Sequence, residues 1–252
     1  MTNAADNLIP TVYGNPYKRQ ELLFNESLWR PVVIIGLGGI GSWVAFELAK
    51  MGARELWFFD YDRVEVHNAC YAVYGRHQAG SPSKPGKKKV EAMKRFLHRW
   101  ESYGKFGRDL EIKIFDRAPT AQDNFPELCI VVVVVDDMDV RKEIWEKNIR
   151  LNPHVLYLVE ARMGAEASMI YTIRPMNDSD AGFYSSPSIL YPQSIASRET
   201  CAEQSFVYTA AMTGSIITSQ IKSILLKEYC WSEIICDLKN MKITTRRLIE
   251  PV

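Results

Sequence analysis

The stretch from Pro31 to Asp60, PVVIIGLGGIGSWVAFELAKMGARELWFFD, constrains this chain more than any other. Val32 to Ile35 are consecutive β-branched residues, the composition of a strand buried on both faces. Gly36, Gly38, Gly39 and Gly41 follow as G-x-G-G-x-G, and Trp43 to Met51 carry apolar residues at helical spacing until Gly52 stops the helix. The glycine turn therefore sits at a helix N-terminus, where unpaired backbone N–H groups and the helix dipole favour a phosphate. Glycine is needed there because a Cβ would block close approach or forbid positive φ. A second strand, Glu55 to Phe59, delivers Asp60 nineteen residues after Gly41, the position from which a carboxylate accepts hydrogen bonds from ribose hydroxyls. Strand, turn, helix, strand and acid in register point to a bound nucleotide.

The chain has 252 residues, 47% of them hydrophobic, enough to bury a sizeable core in a single domain. A net charge of +1 with no face-wide basic run gives no support for nucleic-acid or membrane-surface binding. No signal peptide or apolar span of membrane length is present, which predicts a cytoplasmic protein. Five cysteines without a C-x-x-C pair argue against a disulfide framework or a zinc knuckle and read as free thiols.

Residues 1–16 read as a poorly ordered arm, and 17–252 as one domain that opens on a short helix at 17–28. Residues 61–88 lack any sustained period and form a long, functional loop before a helix over Gly86 to Trp100. Leu110 to Phe115 alternates as a strand. The run Cys129 to Val135 is the most hydrophobic of the chain and reads as a central parallel strand, with Cys129 in the core. It ends in Asp136, Asp137, Met138 and Asp139, an acidic tip that should face the same crevice as the glycine turn, beyond the carboxyl ends of the strands. A helix over Val140 to Leu151, strands over Val155 to Glu160 and Ser168 to Ile173, a second long loop over 175–200 and a buried helix from Gln204 to Glu228 follow. Two short β segments joined by a turn near Lys239 and Asn240 close the chain. The fold class is α/β, Rossmann-like, with a mixed, mostly parallel sheet extended by C-terminal antiparallel strands.

From about Tyr17 onward the chain resembles the ThiF and MoeB superfamily of adenylating enzymes, which includes the activating enzymes for ubiquitin-like proteins. G-L-G-G-I-G-S is followed by D-Y-D-R-V-E-V-H-N, similar to the family's ribose aspartate (Asp60), second aspartate (Asp62) and asparagine (Asn68). Gly86 to Ala92, GKKKVEA, resembles the helix start whose lysine, here Lys89, reaches the phosphates. Asp136 to Asp139 matches a D-x-x-D strand end in which, by the resemblance, Asp139 holds magnesium. Tyr17-Lys18-Arg19-Gln20 resembles an N-terminal Y-x-R-Q helix whose arginine reaches the partner subunit's nucleotide, and Thr200-Cys201 resembles a crossing-loop cysteine that captures substrate. The resemblance implies ATP and Mg2+ as cofactors, a homodimer, and a small ubiquitin-like or sulfur-carrier protein or peptide as partner.

Carboxylate attack on the α-phosphate of ATP requires the triphosphate charge to be neutralised and held in line, which suits magnesium, lysine and arginine. Each assignment has a plainer alternative. Asp139 fits a helix cap, Lys89 and Arg19 fit surface charge, and Asn68 fits a turn. The family's N-L-x-R-Q is replaced here by Asn68-Ala69-Cys70-Tyr71-Ala72, so its phosphate-binding arginine is absent, with Arg76 as a possible substitute. Arg162 offers a bidentate fork to a substrate carboxylate, or else pairs with Glu160 or Glu166. Cys201 is either a thioester-forming nucleophile or a small buried residue. The expected activity is adenylation of a carboxylate with pyrophosphate release. The rival readings are an adenylating dehydratase of transfer RNA modification, an NAD-dependent oxidoreductase and a non-catalytic nucleotide-binding partner.

Overall fold

The computed structural model describes residues 19–250 apart from 21, 25, 82, 103–109 and 196–205. The arm at 1–16, Tyr17, Lys18 and Cys201 lie outside the described residues. Strands β1 (Val32–Ile35), β2 (Glu55–Phe59), β3 (Glu111–Phe115), β4 (Cys129–Val133), β5 (Val155–Met163), β6 (Ala167–Ile173), β7 (Cys230–Asp237) and β8 (Lys242–Ile249) make one sheet. Its order is β3-β2-β1-β4-β5-β6-β7-β8. The pairs from β3 through β5 are parallel and those from β5 through β8 antiparallel, as the sequence pattern predicts.

Alternation along β1 divides the core. Val32 and Ile34 pack on one face of the sheet, towards α1 (Gly39–Met51), α2 (Lys89–Ser102) and α5 (Val207–Leu225). Val33 and Ile35 pack on the other, towards Ile144 and Trp145 at the end of α3 (Met138–Ile144), and Tyr184 at the end of α4 (Asp178–Tyr184). Both faces are covered, which explains the uninterrupted apolar runs of β1 and β4. The chain leaves β1 towards β2 and β3, then crosses to β4 on the opposite side of β1. The topological switch point lies between β1 and β4, and ligands of such sheets bind beyond the strand ends there. No helix among the described residues is long and apolar enough to cross a membrane.

Four expectations change. Residues 19, 20, 22 and 23 form turns instead of a helix, followed by a single 3-10 turn, Glu26–Leu28. Tertiary contacts override local preference there: the Gln20 amide donates to the Met51 carbonyl, and Phe24 and Trp29 pack edge to face in the core. The second long loop contains α4, whose Asn177 cap accepts from Asp180 N at 3.1 Å. Its Asp180 is fully buried between Arg174 and Arg247, contacts that composition cannot reveal. Strand β5 runs on to Met163, which puts Arg162 inside the strand and on the same face as Glu160. The helix predicted from Val140 starts at Met138 and ends in a π turn, Trp145–Ile149.

Candidate functional site

A cavity of about 300 Å³ opens at the switch point, under the carboxyl ends of β1, β2, β4 and β5. Its nucleotide end is shaped by the glycines, each for a different steric reason. Gly36 has φ +96°, and a Cβ there would lie 2.8 Å from the Val134 carbonyl oxygen. A Cβ on Gly41 would lie 1.9 Å from the Gly36 carbonyl oxygen. Gly38 is the opposite case: no atom comes within 4 Å of its would-be Cβ, and the residue lines the cavity. That open cradle stands at the start of α1, which has no side-chain cap. Gly41→Ala is accordingly expected to cost at least about 3 kcal/mol by chemical denaturation, whereas Gly38→Ala should stay within about 1 kcal/mol. Equal costs would show that the turn relaxes around a methyl at position 41.

Asp60 is buried at the tip of β2 and braces this turn. Its Oδ2 accepts from Leu37 N at 2.6 Å and its Oδ1 from Asp62 N at 2.7 Å. Burial raises its pKa, outweighing the Lys89 charge and the two backbone donors. Lys89, the first residue of α2, lines the cavity, and its Nζ lies 2.8 Å from Asp62 Oδ2. Burial lowers its pKa, but Asp60 and Asp62 overcome that and raise it, so the ammonium persists at neutral pH. Gly36, Gly38, Gly39, Asp60, Asp62 and Lys89 thus converge on one cavity.

Other predicted residues lie elsewhere. Asn68 is buried within its own loop, accepting from Glu65 N at 2.8 Å and donating to the Tyr71 hydroxyl at 2.9 Å. Its consequence is indirect, because Tyr71 lines the cavity beside Gly39. Arg76 is exposed on a 3-10 turn and Arg19 is exposed in a turn, and neither lines the cavity. Cys129 is a core residue whose thiol burial pushes up to about 12.

The acidic tip splits into three roles. Asp137 caps α3, accepting from Asp139 N and Val140 N. Asp139 is exposed, its Oδ1 accepts from Gln193 N at 3.2 Å, and it is absent from the cavity lining. Asp136 lines the cavity, and among the described residues its carboxylate has no hydrogen-bond or ion-pair partner. Of the two, Asp136 and not Asp139 is the carboxylate that faces the cavity.

The cavity is also lined by Arg141 and Arg162. Both converge on Glu160, which is 0% exposed. Arg162 grips it with Nε on Oε1 and Nη2 on Oε2, each at 3.0 Å, while Nη1 donates to Ile189 O at 2.8 Å. Arg141 donates to Glu160 Oε1, Ala161 O and Val135 O. The Tyr184 hydroxyl donates to Oε2 at 3.4 Å. Of the two pairings open to Arg162 from sequence, the one with Glu160 forms.

The ThiF family model matches residues 22–250. The chain belongs to the ThiF family. Ubiquitin-like modifier-activating enzyme 5 of Drosophila willistoni is 26% identical over 244 residues, spanning 85% of this chain and 56% of that protein. Its counterpart in Caenorhabditis briggsae is 32% identical over 122 residues, spanning 45% of this chain and 26% of the relative. The matches thus cover between about a quarter and just over half of these curated relatives. The crystal structure of E. coli MccB with ATP matches with a TM-score of 0.63 at 19% identity, over 93% of this chain and 72% of that one. PaaA matches with a TM-score of 0.57 at 17% identity, over 89% and 64%. At these identities the likeness is one of fold.

Within this ThiF fold, sequence reasoning named Glu160 as a partner of Arg162 but missed the parts of Arg141 and Tyr71. A signal for Arg141 was present in the form of an arginine one helical turn past the acidic tip and a glutamate at the end of an apolar strand, since a buried acid demands a counter-charge.

Proposed function

We propose that the protein binds Mg-ATP at the switch point and adenylates a carboxylate, releasing pyrophosphate. The observation that carries this reading is the convergence of the open Gly38 cradle, Lys89 and the unpartnered Asp136 on one cavity. The α1 N-terminus and Lys89 supply the positive field that a triphosphate needs. Asp60, at the end of β2, stands where a ribose is held, with Asp62 setting the position of Lys89. Among the described residues no three His, Cys, Asp or Glu side chains could enclose a metal, so the donor set suits magnesium held by one carboxylate together with phosphates and water. That ion, when bound, neutralises phosphate charge and orients the leaving group.

A substrate carboxylate oxygen forms a bond to the α-phosphorus, the bond from that phosphorus to the bridging oxygen breaks, and the electron pair leaves with pyrophosphate. The protein's task is alignment and charge stabilisation; the reaction requires no general base, because a carboxylate is already ionised. The substrate proposed is the C-terminal carboxylate of a small ubiquitin-like or sulfur-carrier protein, or of a peptide. The similarity to modifier-activating enzymes and to MccB, whose structures include one with SeMet MccA, supports this class. A homodimer in which Arg19 reaches the other subunit's nucleotide, and a thioester on Cys201, remain parts of the same proposal.

The first test is thermal. Mg-ATP is expected to raise Tm by the mass-action stabilisation of a native-state ligand, with about 2.7 kcal/mol at a hundredfold excess over Kd, and NAD to give no comparable shift. Stabilisation by NAD with none by Mg-ATP would refute adenylation. Gly38→Ala serves as the control: it fills the cradle and should remove the ATP shift while the unliganded protein melts nearly unchanged.

A further inference from the structure

The Arg141–Glu160–Arg162 cluster carries one more positive charge than negative, and it sits in the wall of the cavity. Arg141 is 3% exposed, Glu160 is 0% exposed and the Arg162 side chain is 13% exposed, so solvent does little to offset that excess. The carboxylates that share the cavity, Asp60, Asp62 and Asp136, form no ion pair with either arginine among the described residues, and Glu233 is paired with Arg246 at 3.4 Å. Glu160 is spent, because both of its oxygens accept two hydrogen bonds each from Arg141, Arg162 and Tyr184. It can act neither as a base nor as a metal ligand without releasing a guanidinium.

Arg162 has capacity to spare. A guanidinium has five N–H groups, and three of these are engaged, by Glu160 twice and by Ile189 once. The remaining two, one on each Nη, are unclaimed among the described residues. The group is also held still: the Tyr171 and Tyr191 rings lie 5.2 and 5.5 Å from its carbon, and the electrostatic hold of Glu160 outweighs burial to keep it charged. Beside it on the same face, Met169 and Ile235 add hydrocarbon to the cavity wall. Register places Arg162 opposite Met169 and Met169 opposite Ile235, one row across three strands. A triphosphate would not suit a wall of hydrocarbon, and the glycine turn, Lys89 and Asp136 line the same cavity.

We infer that Arg162, braced by Glu160 and Arg141, is a preformed receptor for the substrate's carboxylate, and that its apolar surroundings select an acyl group with hydrocarbon next to that carboxylate. The inference rests on the adenylation reading only for the word substrate. The receptor exists without nucleotide, so its binding is measurable alone. Arg162 touches the reacting group, whereas Glu160 and Arg141 are positioning residues that set its two free N–H groups.

The test is a titration of the full chain, without nucleotide, followed by NMR at the arginine Nε–H signals, with Arg162 assigned from Arg162→Lys. The probes are hexanoate, acetate, hexanamide and inorganic phosphate. Hexanoate is expected to shift the Arg162 signal and to bind at least about tenfold more tightly than acetate, from the added methylenes buried. Hexanamide, which carries no charge, should leave it unmoved. Arg162→Lys keeps the charge but loses the planar fork; it should weaken hexanoate binding while leaving the melting temperature near that of the parent. No shift with hexanoate would overturn the inference. So would equal binding of acetate and hexanoate, or phosphate binding more tightly than hexanoate, which would assign Arg162 to the nucleotide. The two proposals fail separately: hexanoate binding without any ATP effect removes adenylation alone, and ATP stabilisation without hexanoate binding removes the receptor alone.

Discussion

Asp136→Ala is expected to lower ATP–pyrophosphate exchange by about 10²–10³-fold, the usual consequence of removing one preorganised electrostatic group from a charged transition state. Asp136 lies three residues past the end of β4, is exposed, lines the cavity and has no hydrogen-bond or ion-pair partner among the described residues. Its removal should leave the fold intact, because no described hydrogen bond depends on it. Asp139→Ala is the contrasting variant. Its carboxylate holds Gln193 N at 3.2 Å, and the Gln193 side chain accepts from Met138 N at 2.8 Å, so this change loosens a loop anchor. Exchange should then fall by about tenfold or less, since a single surface hydrogen bond contributes about 1 kcal/mol. The decisive measurement is exchange as a function of magnesium concentration in both variants. If Asp139→Ala abolishes exchange while Asp136→Ala retains normal magnesium dependence, the metal belongs to Asp139 and the proposed placement at Asp136 is wrong.

Glu160→Gln should have the largest effect on stability. The change is nearly isosteric, but it strips the counter-charge from two largely buried guanidinium groups. Breaking a buried ion pair from one side costs about 3–5 kcal/mol, and here two cations lose the same partner. Urea denaturation should show this as a lower midpoint with little change in slope. Arg141→Met should cost less, because Glu160 keeps the bidentate grip of Arg162 and the pair left behind is neutral. A loss below about 1 kcal/mol in Glu160→Gln would mean that solvent or another anion already neutralises the arginines. In that case the excess positive charge assigned to the cavity wall does not exist.

Local patterns carried the glycine-turn side of the cavity. Gly36 is required by its positive φ and Gly41 by a steric contact within one short turn, Asp60 by the length of the helix and strand that follow, and Lys89 by its place at the head of an amphipathic helix. These depend on residues close in the chain, so spacing locates them; the Val134 carbonyl that also excludes a Cβ at Gly36 comes from a distant strand end. The antiparallel extension of the sheet was legible for a similar reason, since β7 and β8 are β-rich runs joined by a tight turn.

What sequence by itself determined, then, is the α/β order of elements, the switch-point crevice and the glycine turn that lines it, because short-range sterics and hydrophobic period decide them. Tertiary structure alone decided the rest. The choice between Asp136 and Asp139 depends on where α3 begins, at Met138 and not at Val140, which turns Asp139 out towards Gln193. The pairing of Arg141 with Glu160 joins positions nineteen residues apart, brought together only when α3 packs beside β5. Arg162 faces the cavity because β5 continues past Glu160, an extension stabilised by pairing with β6. Those outcomes follow from packing and from the need to neutralise buried charge, forces that act between segments and leave no period in the chain.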